Sequence, residues 1–352
     1  MRKLIIIGNG FDLAHGLETR YSDFILSYLN KSFLQSTREK KFNDNIIEIS
    51  SGDYYKNPIK LKSLDRYKDF CNDNGIIVNY PTTFIENIIK NATNRWVDIE
   101  YEYYFSLLSL FKRLEIKNLD RHEIIRKELG VLNSCFEQLK NELVEYLQPI
   151  ENKKKEYDPK IFEILENIVN DEKVVNQKVC ILNFNYTSTI SLYNDVFNLQ
   201  HTKPTTINIH GDLNNMETNP IIFGYGDEMD VYYQKIERLN NNDFLKNFKS
   251  FGYFKTKQYQ DFSLFLDQPT AFKVYILGHS CGISDRILLN SIFEHKFCHK
   301  IKIYHYKKSE TENDYFEKTQ EISRHFSAKS KNSMRNKILT FDKDSFLAGS
   351  KN

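Results

Sequence analysis

Apolar positions divide the chain into two textures. Short runs rich in β-branched residues recur at the spacing of an α/β fold, and Leu4–Ile7, Val179–Leu182, Thr206–Ile209, Ile221–Phe223, Val274–Leu277, Ile301–Tyr304 and Ile338–Phe341 each read as a strand. Helical patterns fit between several of them, over Thr187–Phe197, Asn242–Phe254, Asp285–Phe293 and Asn313–Phe326. The stretch after the first strand is different. A helical pattern from Gly16 to Asn30 gives way to polar residues, rich in Lys, Asn and Asp, that read as loop with short helices up to about residue 75. From Thr82 apolar residues return at helical spacing: Phe84, Ile88 and Ile89, then Trp96, Ile99, Tyr103, Leu107, Leu110 and Phe111. Leu132, Cys135, Phe136, Leu139, Leu143 and Tyr146 mark a further helix over Ile124–Leu147, and Pro159 opens a short one ending near Val169. The pattern predicts an α/β fold, with a mostly parallel, Rossmann-like sheet flanked by helices and built from residues 1–30 and 173–342. A mainly helical insertion occupies 31–172, and a polar, flexible tail follows at 343–352.

One carboxylate breaks the helical pattern. At 100° per residue Glu100 falls within the apolar stripe, beside Trp96, Tyr103 and Tyr104, whereas Asp98 and Glu102 face away. A buried carboxyl group must be hydrogen-bonded or face a cleft. Glu100 is therefore either a structural acceptor or a catalytic carboxylate.

The first strand ends in Gly8-Asn9-Gly10-Phe11-Asp12-Leu13-Ala14. Two glycines permit a sharp turn, Asp12 is placed to cap the next helix, and Ala14 lets that helix lie close to the strand. Such a turn gathers backbone N–H groups and the positive end of a helix, an arrangement suited to a nucleotide phosphate. The spacing is looser than G-x-G-x-x-G, and no acidic residue ends a second strand about 20 residues on, so a hydride-transfer dehydrogenase is not indicated.

Composition narrows the partners. The 352 residues carry a net charge of +2, which gives no electrostatic footprint for nucleic acid. Only Arg2 and Lys3 precede a short apolar run, and no stretch reaches the ~20 apolar residues of a membrane span, so a cytoplasmic protein is expected. Cys71, Cys135, Cys180, Cys281 and Cys298 lack C-x-x-C spacing, which suggests reduced core thiols and no metal site.

Ligands of open α/β sheets bind at the carboxyl ends of the strands. Those ends here carry Gly8-Asn9-Gly10, Asn185-Tyr186-Thr187, His210-Gly211, and Gly278-His279-Ser280 with Asp285, a set expected to converge. The opening motif through His15-Gly16-Leu17, with Thr19, Tyr21, Ser22, Asp23 and Phe24, then Trp96-x-Asp98-Ile99-Glu100, Phe184-Asn185-Tyr186-Thr187, Ile209-His210-Gly211 and Gly278-His279-Ser280, resembles the AbiH family of phage abortive-infection proteins. That family is distantly similar to sirtuin-like domains, which bind and cleave NAD. The resemblance implies a phage-defence effector that hydrolyses the nicotinamide–ribose bond, with NAD as substrate or ligand and no required cofactor. It implies that Asn185 positions the attacking water or the ribose, that His210 is the general base, and that Gly8 and Gly10 line the pyrophosphate. Ser280 and Asp285 would contact the adenosine end, with Asn9, Phe11, Asp12, Tyr186, Thr187, Gly211, Gly278 and His279 completing the NAD site. A phage-derived trigger is the expected partner, and self-association stays open. Thr187 stands where sirtuin-like enzymes usually have Asp, and neither an Asp-Phe-Arg segment nor paired C-x-x-C motifs occur, so deacetylation is not expected.

Two rival readings remain. Gly278-His279-Ser280-Cys281-Gly282 matches the G-x-S-x-G elbow of serine esterases, although Gly282 intervenes before a helix that Asp285 would cap. Alternatively the chain is a non-catalytic nucleotide-binding sensor or interaction protein in phage defence.

Overall fold

The computed structural model describes residues 1–51, 60–93, 98–115, 119–171, 178–199 and 203–347. Its strands are β1 (Arg2–Ile7), β2 (Lys41–Asn43), β3 (Glu48–Ser51), β4 (Ile76–Asn79), β5 (Val179–Asn183), β6 (Thr205–Asn208), β7 (Phe272–Leu277), β8 (Cys298–Tyr306) and β9 (Phe346–Leu347). The chain divides into two compact units. The first comprises Met1–Glu18, Ile150–Met229 and Lys249–Asn352, and the second Thr19–Pro149 and Asp230–Phe248. These boundaries differ from the sequence-based limits at 30 and 172, and residues 230–248 join the second unit.

The first unit is the α/β sheet. Six strands run in the order β6-β5-β1-β7-β8-β9, and every neighbouring pair is parallel. Taken in chain order this is the 3-2-1-4-5-6 arrangement of a doubly wound nucleotide-binding fold, whose order reverses beside β1. β1 is buried along its whole length because side chains alternate between two cores. Leu4 and Ile6 join Leu182, Val274 and Ile276 under Phe262, Leu289 and Ile322. Ile5 and Ile7 join Ile181, Tyr275 and Leu277 under Ile161, Leu165 and Phe197. Each such aliphatic side chain contributes roughly 1.5–3 kcal/mol on burial.

Three sequence expectations for this unit need correction. Ile221–Phe223 is buried but forms no strand. Pro220 offers no N–H, and Ile222 donates its own to the His210 carbonyl, so the segment hooks onto a turn rather than a ladder. Ile338 makes a single bridge to Ile301, and the edge strand is instead β9. The reason is a turn at Asp342, which accepts from the Ser345 hydroxyl at 2.6 Å and redirects the chain against β8. The tail expected from residue 343 therefore includes an ordered strand, with Leu347 in the core.

The second unit is richer in structure between residues 31 and 75 than its polar composition suggests. The helix expected over Gly16–Asn30 runs from Tyr21 to Glu39, because Gly16, at φ +71°, stops the preceding turn. β2, β3 and β4 then form a small antiparallel sheet. The helices Thr83–Thr93, Ile99–Glu115 and Leu119–Asn152 follow, of which the second and third contribute Tyr103 and Phe136, whose ring centroids lie 4.1 Å apart. Residues 230–248 are tied in by Asn133, which donates to the Asp243 carbonyl at 2.9 Å, and by Asn247, which donates to the Tyr103 hydroxyl at 3.1 Å. Among the described residues no helix is long and apolar enough to cross a membrane.

Candidate functional site at the carboxyl edge of the sheet

The carboxyl ends of β1, β5, β6 and β7 lie side by side, and each turns away through polar residues. After β1 the helix starts at once, over Asn9–Ala14 with Gly8 as its cap residue. Asp12 is therefore inside the helix rather than capping it. Gly8 donates its N–H to the Leu277 carbonyl, Gly10 to the Gly278 carbonyl at 2.8 Å and Phe11 to the Gly8 carbonyl. Three donors that the sequence reserves for a phosphate are thus used within the protein. The glycines instead let two turns touch: a Cβ on Gly8 would lie 2.4 Å from Cα of His279, and one on Gly278 would lie 2.2 Å from the Phe11 nitrogen. No side chain fits between these backbones.

Asp12 is almost fully buried, and Oδ2 accepts a 2.6 Å hydrogen bond from the Thr187 hydroxyl. Its Oδ1 has no hydrogen-bond partner among the described residues. Burial pushes the carboxyl up to about 6, against the pull of the Thr187 and Thr189 hydroxyls and of Lys155. Thr187 suits this place because a second carboxylate there would face Asp12 in a dry site. Phe11 packs its ring against His15 and Tyr193, as a core residue.

β5 ends in a loop organised by buried amides. Asn183 donates to the Thr187 carbonyl at 3.1 Å and to Oδ1 of Asn208 at 3.0 Å, while its own Oδ1 accepts from the Asn185 N–H. Held in this way, Asn185 donates its side-chain NH2 to the Gly8 carbonyl at 3.1 Å. Its Oδ1 has no partner among the described residues and remains an acceptor. Tyr186 accepts through its carbonyl from Leu213. Beside the loop Glu151 is buried, paired with Lys155 and bonded by the Ser188 hydroxyl and the Asn214 amide. Burial pushes the Glu151 carboxyl up, but these partners hold it below the ordinary value.

β6 runs into His210, and β7 into His279. Both imidazoles pack against Phe184, with centroids at 5.0 and 4.2 Å, and both face Asp285. Nε2 of His210 is 3.3 Å from Oδ1, and Nε2 of His279 is 3.6 Å from Oδ2. Lys249, whose N–H donates to the Tyr225 carbonyl, places Nζ 2.6 Å from Oδ1. Burial alone would raise the Asp285 carboxyl, but Lys249 and the two histidines hold it well below the carboxylate range. Burial, helped by Lys249, lowers His210 to about 4, so it is neutral at pH 7. The contact with an ionised Asp285 favours the tautomer protonated on Nε2. Nδ1, which has no partner among the described residues, is then a lone-pair acceptor.

The predicted residues thus separate into groups. Asn185, His210, His279 and Asp285 meet at one edge of the first unit, and Asp285 bridges the two histidines. Gly211, at φ +104°, turns the chain after His210. Ser280 is exposed and accepts from the Gly282 N–H at 3.3 Å, and helical structure resumes only at Ile283, as a 3-10 turn leading into the α-helix Arg286–Phe293. The strand therefore does not pass directly into a helix at the serine, as an esterase elbow requires. Asn9 is exposed at the first turn. Glu100 is buried on the helix Ile99–Glu115 of the second unit, and Trp96 lies outside the described residues. Lys249, Glu151 and Lys155 are additions that the sequence reading missed. Lys249 sits between Phe248 and Phe251 in an apolar stretch, which is the one signal that could have singled it out.

Comparison with known proteins gives one family. The model described as "Bacteriophage abortive infection AbiH" matches residues 4–307. Among the curated proteins none matches the chain.

Proposed function

Since the chain belongs to the AbiH family, and so has a role in abortive infection of phage-infected cells, we propose that it acts there by binding NAD at the Asn185–His210 edge and hydrolysing the nicotinamide–ribose bond. The observation that carries this reading is a pair of side chains each held at one end and without a partner among the described residues at the other. Asn185 is held through Nδ2 and His210 through Nε2, and this leaves Oδ1 and Nδ1 as acceptors at neighbouring strand ends. Two acceptors suit a substrate or water that must be held by its hydroxyl protons.

In the step proposed, the C1′–N bond breaks with its electron pair going to the nicotinamide nitrogen, and water oxygen forms the new bond to C1′. The water proton passes to Nδ1 of His210 and on to solvent, giving nicotinamide, ADP-ribose and one proton. Asn185 orients the water or a ribose hydroxyl. Asp285 positions His210 and stabilises it once protonated, as a buried carboxylate does for an imidazolium. Because the Gly8, Gly10 and Phe11 N–H groups are used internally, none of these three is left to bind the pyrophosphate.

A second reading, a nucleotide-binding sensor without turnover, draws support from the low basicity of His210, which makes it a weak proton acceptor at pH 7. One assay separates the two. Purified protein is incubated with NAD, with and without phage lysate, and free nicotinamide is followed. Release that disappears in Asn185→Ala supports hydrolysis, whereas NAD binding without release in either condition favours the sensor.

A further inference from the structure

The second unit contains a cleft of about 520 Å³ formed within that unit alone. It lies where the end of the helix Ile99–Glu115 meets the start of Leu119–Asn152 and the helix Val231–Arg238. Its apolar lining comes from Phe111, Leu114, Ile125, Leu239 and Phe244, with the Phe111 and Phe244 rings edge to face at 6.5 Å. The polar lining is mainly cationic or imidazole, with His122, Arg126, Lys235 and Arg238 beside the neutral Asn241. Among the described residues Glu115 is the one carboxylate in the lining, and it is 3.3 Å from Lys235. Arg126 and Arg238 have no acidic partner among the described residues.

Two guanidinium groups without carboxylates, beside an apolar wall, match a ligand that is anionic at one end and flat and apolar at the other. Guanidinium forks bind phosphate oxygens in pairs, and a doubly charged phosphate balances both arginines. Inorganic phosphate alone would leave most of the volume and the apolar lining unused, whereas clefts of this size hold drug-sized molecules. We propose that the helical unit carries its own mononucleotide site, with the phosphate held by Arg126 and Arg238 and the base seated on the apolar lining. This site is separate in sequence and in unit from the Asn185–His210 edge and does not rest on NAD cleavage there.

Calorimetric titration of the full chain with AMP, adenosine and inorganic phosphate tests the proposal. AMP should bind at micromolar to submillimolar concentration, more tightly than either fragment. R126A/R238A, both at exposed positions, should melt as the parent does and lose at least tenfold in AMP affinity. R126K/R238K, which keeps the charge but not the fork, should fall between them. Binding should survive His210→Ala unchanged. Absent AMP binding, phosphate binding as tightly as AMP, or an affinity unmoved by R126A/R238A would each overturn the site. Affinity lost in His210→Ala and kept in R126A/R238A would place the nucleotide at the sheet edge instead.

Discussion

Nζ of Lys249 lies 2.6 Å from Oδ1 of Asp285, and both side chains are almost wholly withdrawn from solvent. Breaking such a pair leaves one charge buried without its nearest counter-charge, which costs about 3–5 kcal/mol. Lys249→Met should therefore lower the urea unfolding free energy by that order, and Lys249→Met/Asp285→Asn by less than the sum of the single changes. Lys249 is also one of the charges that lower His210, so the imidazole should titrate at higher pH in Lys249→Met, as followed by NMR. Additive losses and an unmoved imidazole would show that the pair is not coupled to His210.

The buried histidines set the acid side of the stability profile. Burial lowers both His210 and His325 to about 4, below the ordinary 6.5. Between these values the unfolded chain takes up protons that the native state refuses, so stability is full above pH 6.5 and falls as the pH drops toward 4. Each group contributes roughly 3 kcal/mol across that interval. The urea midpoint should fall over this range, and less steeply in His325→Gln. A midpoint that is flat from pH 6.5 to 4 would contradict the neutral, buried state of both rings.

Asp12 works in the opposite direction. With its carboxyl raised to about 6 from an ordinary 3.8, the native state keeps a proton that the unfolded chain has released. Asp12 alone therefore costs stability as pH rises through that window, by roughly 2–3 kcal/mol in total. The gap in unfolding free energy between Asp12→Asn and the parent should shift in favour of the variant by that amount between pH 4 and 8. A difference independent of pH would mean that the carboxyl is not held protonated.

The two glycine turns invite a paired comparison. A Cβ at Gly8 meets backbone atoms of His279 at 2.4 Å, whereas one at Gly16 meets nothing within 4 Å and suffers only from φ +71°. Gly16→Ala should cost about 1–2 kcal/mol. Gly8→Ala, which must separate β1 from the turn after β7, should cost more than about 3 kcal/mol. Similar melting temperatures for the two variants would show that the β1 and β7 turns are not in close contact.

The centre of the sheet was legible in the sequence because β1, β5 and β7 are buried on both faces and so appear as apolar runs, Leu4–Ile7, Val179–Leu182 and Val274–Leu277. The edge at β9 was not. Phe346–Leu347 is too short to stand out, while Ile338–Phe341 has the composition of a strand but is turned aside by the Asp342 carboxylate. Ile221–Phe223 failed for a related reason, since apolarity records burial and does not record who receives a backbone N–H. At the site, His210, Asn185 and His279 were visible as polar residues ending apolar runs. Lys249 was not, because its partner is brought to it only by the tertiary fold. The pairing of Asp12 with Thr187 likewise joins residues 175 positions apart, and it gives a physical reason for a hydroxyl rather than a carboxylate at 187.

The most direct measurement is the NAD content of phage-infected cells carrying the parent chain or Asn185→Ala, with His210→Ala beside it and the folded state of each variant checked by melting. NAD hydrolysis at this edge predicts that NAD falls after infection and the culture survives with the parent, and that both effects vanish in either folded variant. Survival of the culture with NAD unchanged in the parent, or protection undiminished in a folded Asn185→Ala, would contradict it.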